Sequence, residues 1–363
     1  MRIAVDAREL TGRPTGVGRY LSELIARWAF STEARRHEWL LYAHVRPVVP
    51  ETFAAALEVV AGNGGTRWEQ WSLARALAKT RPDVFFAPGY TAPLTAPCPT
   101  VVTIHDVSFH AHPEWFASRE GARRRGLTAW SARRAALVLT DSAFSRDEIV
   151  DHIGVPPEKI RIVPLGINRP GAAPGVERRP MILFVGSIFR RRHVDRLIAA
   201  FAESVAVRVP DSSLEIVGEN RAHPALDLAQ VLTSYPQAIQ KRVVLRSYVD
   251  EATLVELYRR ATVFAFPSEY EGFGFTPLEA LAAGVPSVVL DTPIAREVYG
   301  PAARYVSVDL SSHASLADAL VELLTDRAAR AAILAHAPEV LARYDWEDTA
   351  ARTLGAITDA AGA

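Results

Sequence analysis

The chain has 363 residues, of which 49% are hydrophobic and 23% charged, a balance that fills folded cores and excludes a disordered chain. Lys+Arg and Asp+Glu both number 41, so the formal net charge is zero and the basic excess of a general nucleic-acid binder is missing. The single Cys98 excludes an internal disulfide and a cysteine metal cluster.

At about 150 residues per domain, the length predicts two domains. Met1-Arg2-Ile3-Ala4-Val5-Asp6 runs straight into a strand, without the apolar core or cleavage site of a signal peptide. No apolar run approaches the roughly 18 residues that a membrane-spanning helix needs. The expectation is a cytoplasmic protein.

In chain order, Arg2–Asp6 reads as a first strand ending in an acid. The turn-rich stretch Gly12-Arg13-Pro14-Thr15-Gly16-Val17-Gly18 follows. Leu21, Leu24, Ile25 and Trp28 then share one face of a helix over 17–30. Strands are expected over 38–43, 84–87, 100–104, 137–140 and 160–164. An arginine-rich helix is expected over 118–134, and another over 143–153 with Ser142 as its cap. Residues 166–180 are rich in glycine and proline and read as a linker.

A fresh alternation begins after the linker. Strands are expected over 181–185, 213–217, 243–245, 263–266, 287–290 and 305–308. Helices are expected over 194–207, 225–232, 251–260, 315–324 and 328–337, with a last one over 346–361. Two successive strand–helix alternations predict an α/β protein of two doubly wound, Rossmann-like domains facing each other across a cleft. The boundaries drawn are 1–168 for the first domain, 169–180 for the linker and 181–343 for the second.

The stretch 263–290, VFAFPSEYEGFGFTPLEALAAGVPSVVL, is strand, glycine-rich loop, helix, strand. In parallel sheets such loops lie at the carboxyl ends of strands, where ligands bind, and a helix start presents N–H groups to anions. Glu271 and Glu279 are separated by seven residues across the loop and the first helical turn. Thr276 reads as the helix cap, with Pro277 at the first helical position, and Thr276-x-x-Glu279 fits a capping box. A structural role for Glu279 therefore stands beside a ligand role. Glu271 has no capping pattern to explain it, and the glycines around it suit close backbone approach.

Four further constellations stand out. Gly16-Val17-Gly18 precedes a helix but lacks the third glycine of a dinucleotide fingerprint, so it reads either as a plain turn or as a tight loop setting backbone N–H groups and Arg19 against a ligand. His105-Asp106 ends a strand, where the imidazole could bond a sugar hydroxyl or act as acid or base, and Asp106 could equally close a turn. Ser187 to His193 carries Arg190, Arg191 and Arg192 between a strand and a helix, a position where guanidiniums suit a pyrophosphate. The 118–134 helix holds Arg119, Arg123, Arg124, Arg125, Arg133 and Arg134 around Trp130; it is either an ordinary solvated face or a surface for anionic lipid. Asp-x-Asp after a strand, His-x-x-x-His, a P-loop and a Gly-x-Ser-x-Gly elbow are all missing, so metal-assisted phosphate chemistry has no evident seat.

The Glu271-x7-Glu279 pair in SEYEGFGFTPLEALAAGVPSVV resembles the signature of the family 4 retaining glycosyltransferases. RIAVDAREL…TGVGRY, TIHDVSFHAHPEWF, LTDSAFSRDEI, VPLGIN, FVGSIF…RLIAAF, LEIVGE, TPIAREVYG and YDWEDTA resemble the family's other segments in order, and together they cover nearly the whole chain.

The resemblance implies a GT-B fold, with the helix near 344–363 crossing back to the first domain. It implies a nucleotide-sugar donor in the second domain, bound without cofactor or metal, and a saccharide or lipid-linked acceptor in the first. Carried over by position, Glu271 touches the donor sugar and Glu279 the ribose hydroxyls. The N–H groups of Phe273, Gly274 and Phe275 hold sugar hydroxyls and phosphate. His105 bonds the sugar ring, with Asp106 beside it. Gly16 and Gly18 let the first loop close on the diphosphate. Ser187 stands where the family often has Arg or Thr, and Arg192 where it has Lys, which leaves open which of Arg190, Arg191 and Arg192 neutralises the leaving group.

The expected activity is transfer of a hexose, with GDP-mannose as first donor and UDP- or dTDP-hexoses behind it, for cell-surface polysaccharide or glycolipid synthesis. Peripheral contact with the inner membrane face through the 118–134 helix goes with that expectation. A nucleotide-sugar epimerase of the same architecture and a two-lobed sugar-binding protein are the alternatives.

Overall fold

The computed structural model describes residues 1–12, 16–169 and 178–362, and these form two compact units. The first unit comprises residues 1–113, 118–166 and 344–363, and the second 114–117 and 167–343. Of the expected linker 169–180, residues 170–177 lie outside the described residues.

The first unit is built on seven parallel strands: β1 (Arg2–Asp6), β2 (Glu38–Ala43), β3 (Ala55–Val59), β4 (Val84–Ala87), β5 (Thr100–Thr103), β6 (Leu137–Thr140) and β7 (Ile160–Ile162). Their order across the sheet is β3-β2-β1-β4-β5-β6-β7. The central strands are buried on both faces, which is why they read as continuous apolar runs such as Val84-Phe85-Phe86-Ala87. Because every pairing is parallel, the carboxyl ends of β1, β4, β5 and β6 share one edge of the sheet.

Helix Gly16–Trp28 buries Tyr20, Leu21, Leu24, Ile25 and Trp28. The Trp28 indole N–H donates to the Ala350 carbonyl at 3.0 Å, joining this helix to the carboxyl-terminal helix Trp346–Gly362. Gly166 allows the contact that starts that last helix, since a Cβ there would overlap the Trp346 backbone. Three elements between 44 and 83 have no counterpart in the sequence expectation: β3, a π-helical turn Trp68–Leu73 and helix Ala74–Thr80. β3 is a half-exposed edge strand, so it lacks the apolar run that reveals its neighbours.

The second unit has six parallel strands: β8 (Met181–Val185), β9 (Ser213–Val217), β10 (Val243–Arg246), β11 (Val263–Phe266), β12 (Ser287–Leu290) and β13 (Ala303–Val306). The order is β10-β9-β8-β11-β12-β13. In both units the order reverses beside the first strand, next to β4 in one and β11 in the other, and such switch points are where open α/β sheets bind ligands. β13 begins two residues before the expected 305 because Ala303 pairs with Ser287. The helix expected over 225–232 instead runs Leu228–Thr233, because the Asp227 carboxylate caps it by accepting from the Gln230 N–H. The helix expected over 328–337 forms as two, Arg327–Leu334 capped by Asp326, then Ala337–Leu341.

Candidate active site

In the second unit, the chain leaves β11 at Phe266 and enters helix Phe275–Ala282 through the loop that carries Glu271. The capping box expected of Thr276 and Glu279 does not form. The helix begins at Phe275 with Gly274 as its cap residue, in the left-handed region at φ 91°, and no side chain caps it. The glycine turn sets the entry of the chain, so Thr276 lies inside the first turn and its buried hydroxyl has no hydrogen-bond partner. Pro277 is thereby the third helical residue. Glu279 points inward, 6% exposed, and its Oε2 accepts the Tyr258 hydroxyl at 3.2 Å. A Cβ at Gly274 would overlap the Tyr299 hydroxyl, which itself donates to the Gly274 carbonyl at 3.1 Å. Phe273 is buried beside that turn, with its ring 5.4 Å from the ring of Phe275.

Glu271 does not stand alone. Arg192 grips it with both prongs, Nε to Oε1 at 2.6 Å and Nη2 to Oε2 at 2.9 Å, and the Ser268 hydroxyl donates to Oε1 at 2.8 Å. The third prong, Nη1, donates to the Ser187 carbonyl at 2.9 Å. The guanidinium also lies 5.0 Å from the centre of the Phe266 ring. Burial by itself would raise the Glu271 carboxyl, but Arg192 and Arg191 outweigh it and hold it below the usual carboxylate range.

The three arginines separate by task. Arg190 donates to the Pro224 and Ala225 carbonyls and is turned away from Glu271. Arg191 is buried, donates from Nε to the Tyr270 carbonyl at 3.1 Å and stacks 4.4 Å over Phe189. Gly186, at φ 147°, leaves space that a Cβ would take, 2.7 Å from Arg192 Nη1.

In the first unit, His105 leaves β5 and is closely packed, with its side chain 13% exposed. Nδ1 lies 2.8 Å from Asp141 Oδ2 and Nε2 lies 3.0 Å from the Pro88 carbonyl. Two acceptors facing two ring nitrogens favour the imidazolium, which donates from both. Burial lowers the His105 pKa, and the Asp141 carboxylate with the Pro88 carbonyl more than offsets it, so the net shift is upward. The rings of Tyr20 and Tyr90 flank the imidazole at 5.1 and 5.8 Å. The expected free ring N–H for a ligand is thus engaged within the unit's own packing.

Asp106 takes the turn reading: Oδ1 accepts from the Ser108 N–H and hydroxyl, and Oδ2 from the Tyr90 hydroxyl. Gly16 and Gly18 fall in the first turn of helix Gly16–Trp28 rather than in a loop. Residues 13–15 before them lie outside the described residues. Asp141, Tyr258 and Ser268 were not singled out in the sequence, since a lone Asp, Tyr or Ser has no spacing that announces it.

On helix Ser118–Arg134, Arg123 and Arg124 pair with Glu120, Arg125 donates to the Phe109 carbonyl and Arg133 to the Ile153 carbonyl. Four of the six arginines expected on a lipid-facing surface are therefore spoken for by the protein itself. Among the described residues, no helix is long and apolar enough to cross a membrane, and no three His, Cys, Asp or Glu side chains converge as a metal site.

Comparison with known proteins follows the same division. Residues 14–169 match the family model Glycosyltransferase Family 4, and residues 172–340 match Glycosyl transferases group 1. The O-antigen chain mannosyltransferase RfbU of Salmonella typhimurium is 28% identical over 247 residues, covering 68% of this chain and 66% of that protein. The chain thus spans just under two thirds of that relative's length. The crystal structure of WaaG, a glycosyltransferase involved in lipopolysaccharide biosynthesis, superposes with a TM-score of 0.76 at 19% identity, over 99% of this chain and 100% of that one. Anabaena Alr3699/HepE, solved with UDP-glucose, gives 0.72 at 19% identity over 98% and 100%. Likeness at that identity establishes the fold. With both halves matched to glycosyltransferase models and the whole to such structures, the chain belongs to the family 4 glycosyltransferases and has their GT-B fold of two Rossmann-like units.

Proposed function

We propose that this protein is a retaining glycosyltransferase that moves a hexose from a nucleotide-diphosphate sugar to a saccharide or lipid-linked acceptor. The observation that carries the reading is the closely packed Arg192–Glu271 pair, each side chain 13% exposed, at the end of β11 on the loop that leads to Glu279. In the reaction, the bond between the anomeric carbon and the donor phosphate oxygen breaks. Negative charge develops on the diphosphate and positive charge on the sugar. Arg192 uses three of its five N–H groups in the pair and on Ser187, leaving two for the leaving phosphate. Arg191 adds a buried guanidinium beside it, so the negative charge is met without a metal.

Glu271, kept ionised, faces the sugar and stabilises its positive charge. The acceptor oxygen attacks from the face the phosphate leaves, and its proton passes to the departing phosphate oxygen, which retains the anomeric configuration. Glu279, held by Tyr258, takes the ribose hydroxyls. The backbone of Phe273, Gly274 and Phe275 lines the phosphate and sugar. His105 reaches a sugar hydroxyl by exchanging its Pro88 carbonyl contact for the ligand.

GDP-mannose is the first donor to try, since RfbU is a mannosyltransferase, and UDP-glucose is the second, since HepE is solved with it. RfbU is by name an O-antigen chain mannosyltransferase and WaaG a glycosyltransferase involved in lipopolysaccharide biosynthesis, which supports synthesis of a cell-surface polysaccharide or glycolipid as the setting inferred here. The test is incubation with GDP-mannose, UDP-hexoses and dTDP-hexoses in the presence of a metal chelator. Release of nucleoside diphosphate from one donor is expected. Conversion of a donor to its epimer, with no nucleotide released, would sink the reading.

A further inference from the structure

The first unit carries a groove that none of the residues discussed so far enters. It has a volume of about 410 Å³ and is lined by Gly62, Asn63, Arg67, Trp68, Trp71 and Ser72. It follows β3, at the edge of the sheet where the carboxyl ends of the strands lie. We propose that this groove is a saccharide site, a subsite for the sugar chain that accepts the transferred hexose; the acceptor role rests on the transferase reading above, whereas saccharide binding does not.

Three observations carry the inference. First, the groove lies on a π-helical turn, Trp68–Leu73, and such turns are rare and frequent at functional sites. The turn sorts its side chains sharply. Glu69 is 2% exposed and bonded to Arg8 and Thr91, and Gln70 is locked to Ala92 and Leu94. Trp71 between them and the following turn is 70% exposed, which leaves a large apolar face in water on an otherwise ordered element.

Second, the wall of the groove is rigid. The Trp68 indole N–H donates to the Val60 carbonyl at 2.8 Å, its ring lies 5.7 Å from the Arg8 guanidinium, and Gly62 lets the backbone lie against it where a Cβ would collide.

Third, the lining matches one ligand chemistry. A sugar ring has an apolar C–H face and a rim of hydroxyls. An indole takes the face, while exposed Arg67 and Asn63 and half-buried Ser72 take the rim. One guanidinium on a chain of zero net charge is a poor seat for a polyanion.

The groove is also connected to His105. Glu69 Oε2 accepts the Thr91 hydroxyl at 2.8 Å, and the adjacent Tyr90 packs on the imidazole. The turn that carries Trp71 is thus tied through Glu69 and Thr91 to the residue that packs on His105.

The experiment titrates the protein with maltose, cellobiose, lactose and α-mannobiose, reading tryptophan fluorescence and saturation transfer to the sugar protons. Donor hydrolysis without acceptor is measured in parallel. At least one disaccharide is expected to bind, Trp71→Ala to weaken it about tenfold, the scale of one lost aromatic face, and Arg67→Gln to weaken it severalfold. Donor hydrolysis should be unchanged in both variants, because both side chains are exposed and neither belongs to the proposed donor site. No binding by the wild type, or equal binding by Trp71→Ala, overturns the proposal. A wild type that binds a disaccharide through Trp71 but releases no nucleotide from any donor upholds the saccharide site and overturns the transferase reading instead.

Discussion

Arg192 and Glu271 lie 79 residues apart in the chain and meet as a two-pronged pair inside the second unit. A charge pair this far withdrawn from water is a weak source of stability, because desolvation offsets most of its attraction. It is a strong source of geometry: the fork fixes the carboxylate plane and keeps it ionised against burial. Glu271→Gln preserves shape and removes the charge, so a folded protein with turnover down about 100-fold is expected, the scale of one lost electrostatic partner. Arg192→Lys keeps the charge and loses the fork, so turnover falls as well, by a factor of ten or so. Steady-state kinetics on variants checked by circular dichroism decides this. Near-normal turnover in Glu271→Gln would remove Glu271 from the mechanism.

Tyr258 offers a separate handle on Glu279. Its hydroxyl holds the carboxylate from helix Glu251–Arg260. Tyr258→Phe removes one hydrogen bond to a charged group, an effect of about 1.5–3 kcal/mol when the partner is left buried. If Glu279 binds ribose equally in ground and transition states, donor KM rises about tenfold or more while kcat holds. A fall in kcat with unchanged KM would move Glu279 from binding to chemistry.

The sequence made the sheets legible because buried parallel strands are apolar runs bounded by turn residues, as at Val84–Ala87 and Val263–Phe266. It made a candidate site legible for a related reason: acids, glycines and arginines at strand ends have no core to serve. Pairings across the chain were not legible. Nothing in the local pattern says that Glu271 meets Arg192, or that His105 meets Asp141, 36 residues on. The Thr276 capping box failed for an instructive reason. A left-handed glycine and a side-chain cap are alternative ways to begin a helix, and the sequence GFT offers both. The edge strand β3 and the π-turn after it left no periodic signal.

Asp141 is a positioning residue for His105, and its effect has a sign. The folded His105 pKa is raised, so its protonation contributes stability that is fully present below the unfolded value, about 6.5, and is lost as pH rises through the folded value. Asp141→Asn removes the carboxylate that supports the imidazolium. Burial then dominates, and the His105 pKa is expected to fall below its ordinary value, as followed by NMR titration of the ring protons. The loss of stability on raising pH from 6 to 8 should flatten in the same variant, about as predicted for one titrating group. A His105 pKa that does not move would show that Pro88 and its surroundings, rather than Asp141, set the protonation state.

Gly274 ties the loop to the rest of the second unit through Tyr299. Two separate effects oppose any side chain there: the left-handed backbone at φ 91° and the overlap of a Cβ with the Tyr299 hydroxyl. Gly274→Ala is therefore expected to lower stability by about 2 kcal/mol or more, of which roughly 1–2 kcal/mol is backbone strain. Tyr299→Phe removes the overlapping oxygen together with its bond to the Gly274 carbonyl. Placing Gly274→Ala in the Tyr299→Phe background should then recover the steric part and leave the strain. The two substitutions are coupled, because they meet at one contact, and a double-mutant cycle in urea denaturation reads that coupling directly. Additive effects would mean that Tyr299 does not press on Gly274, and the loop that carries Glu271 would have to be held by other contacts.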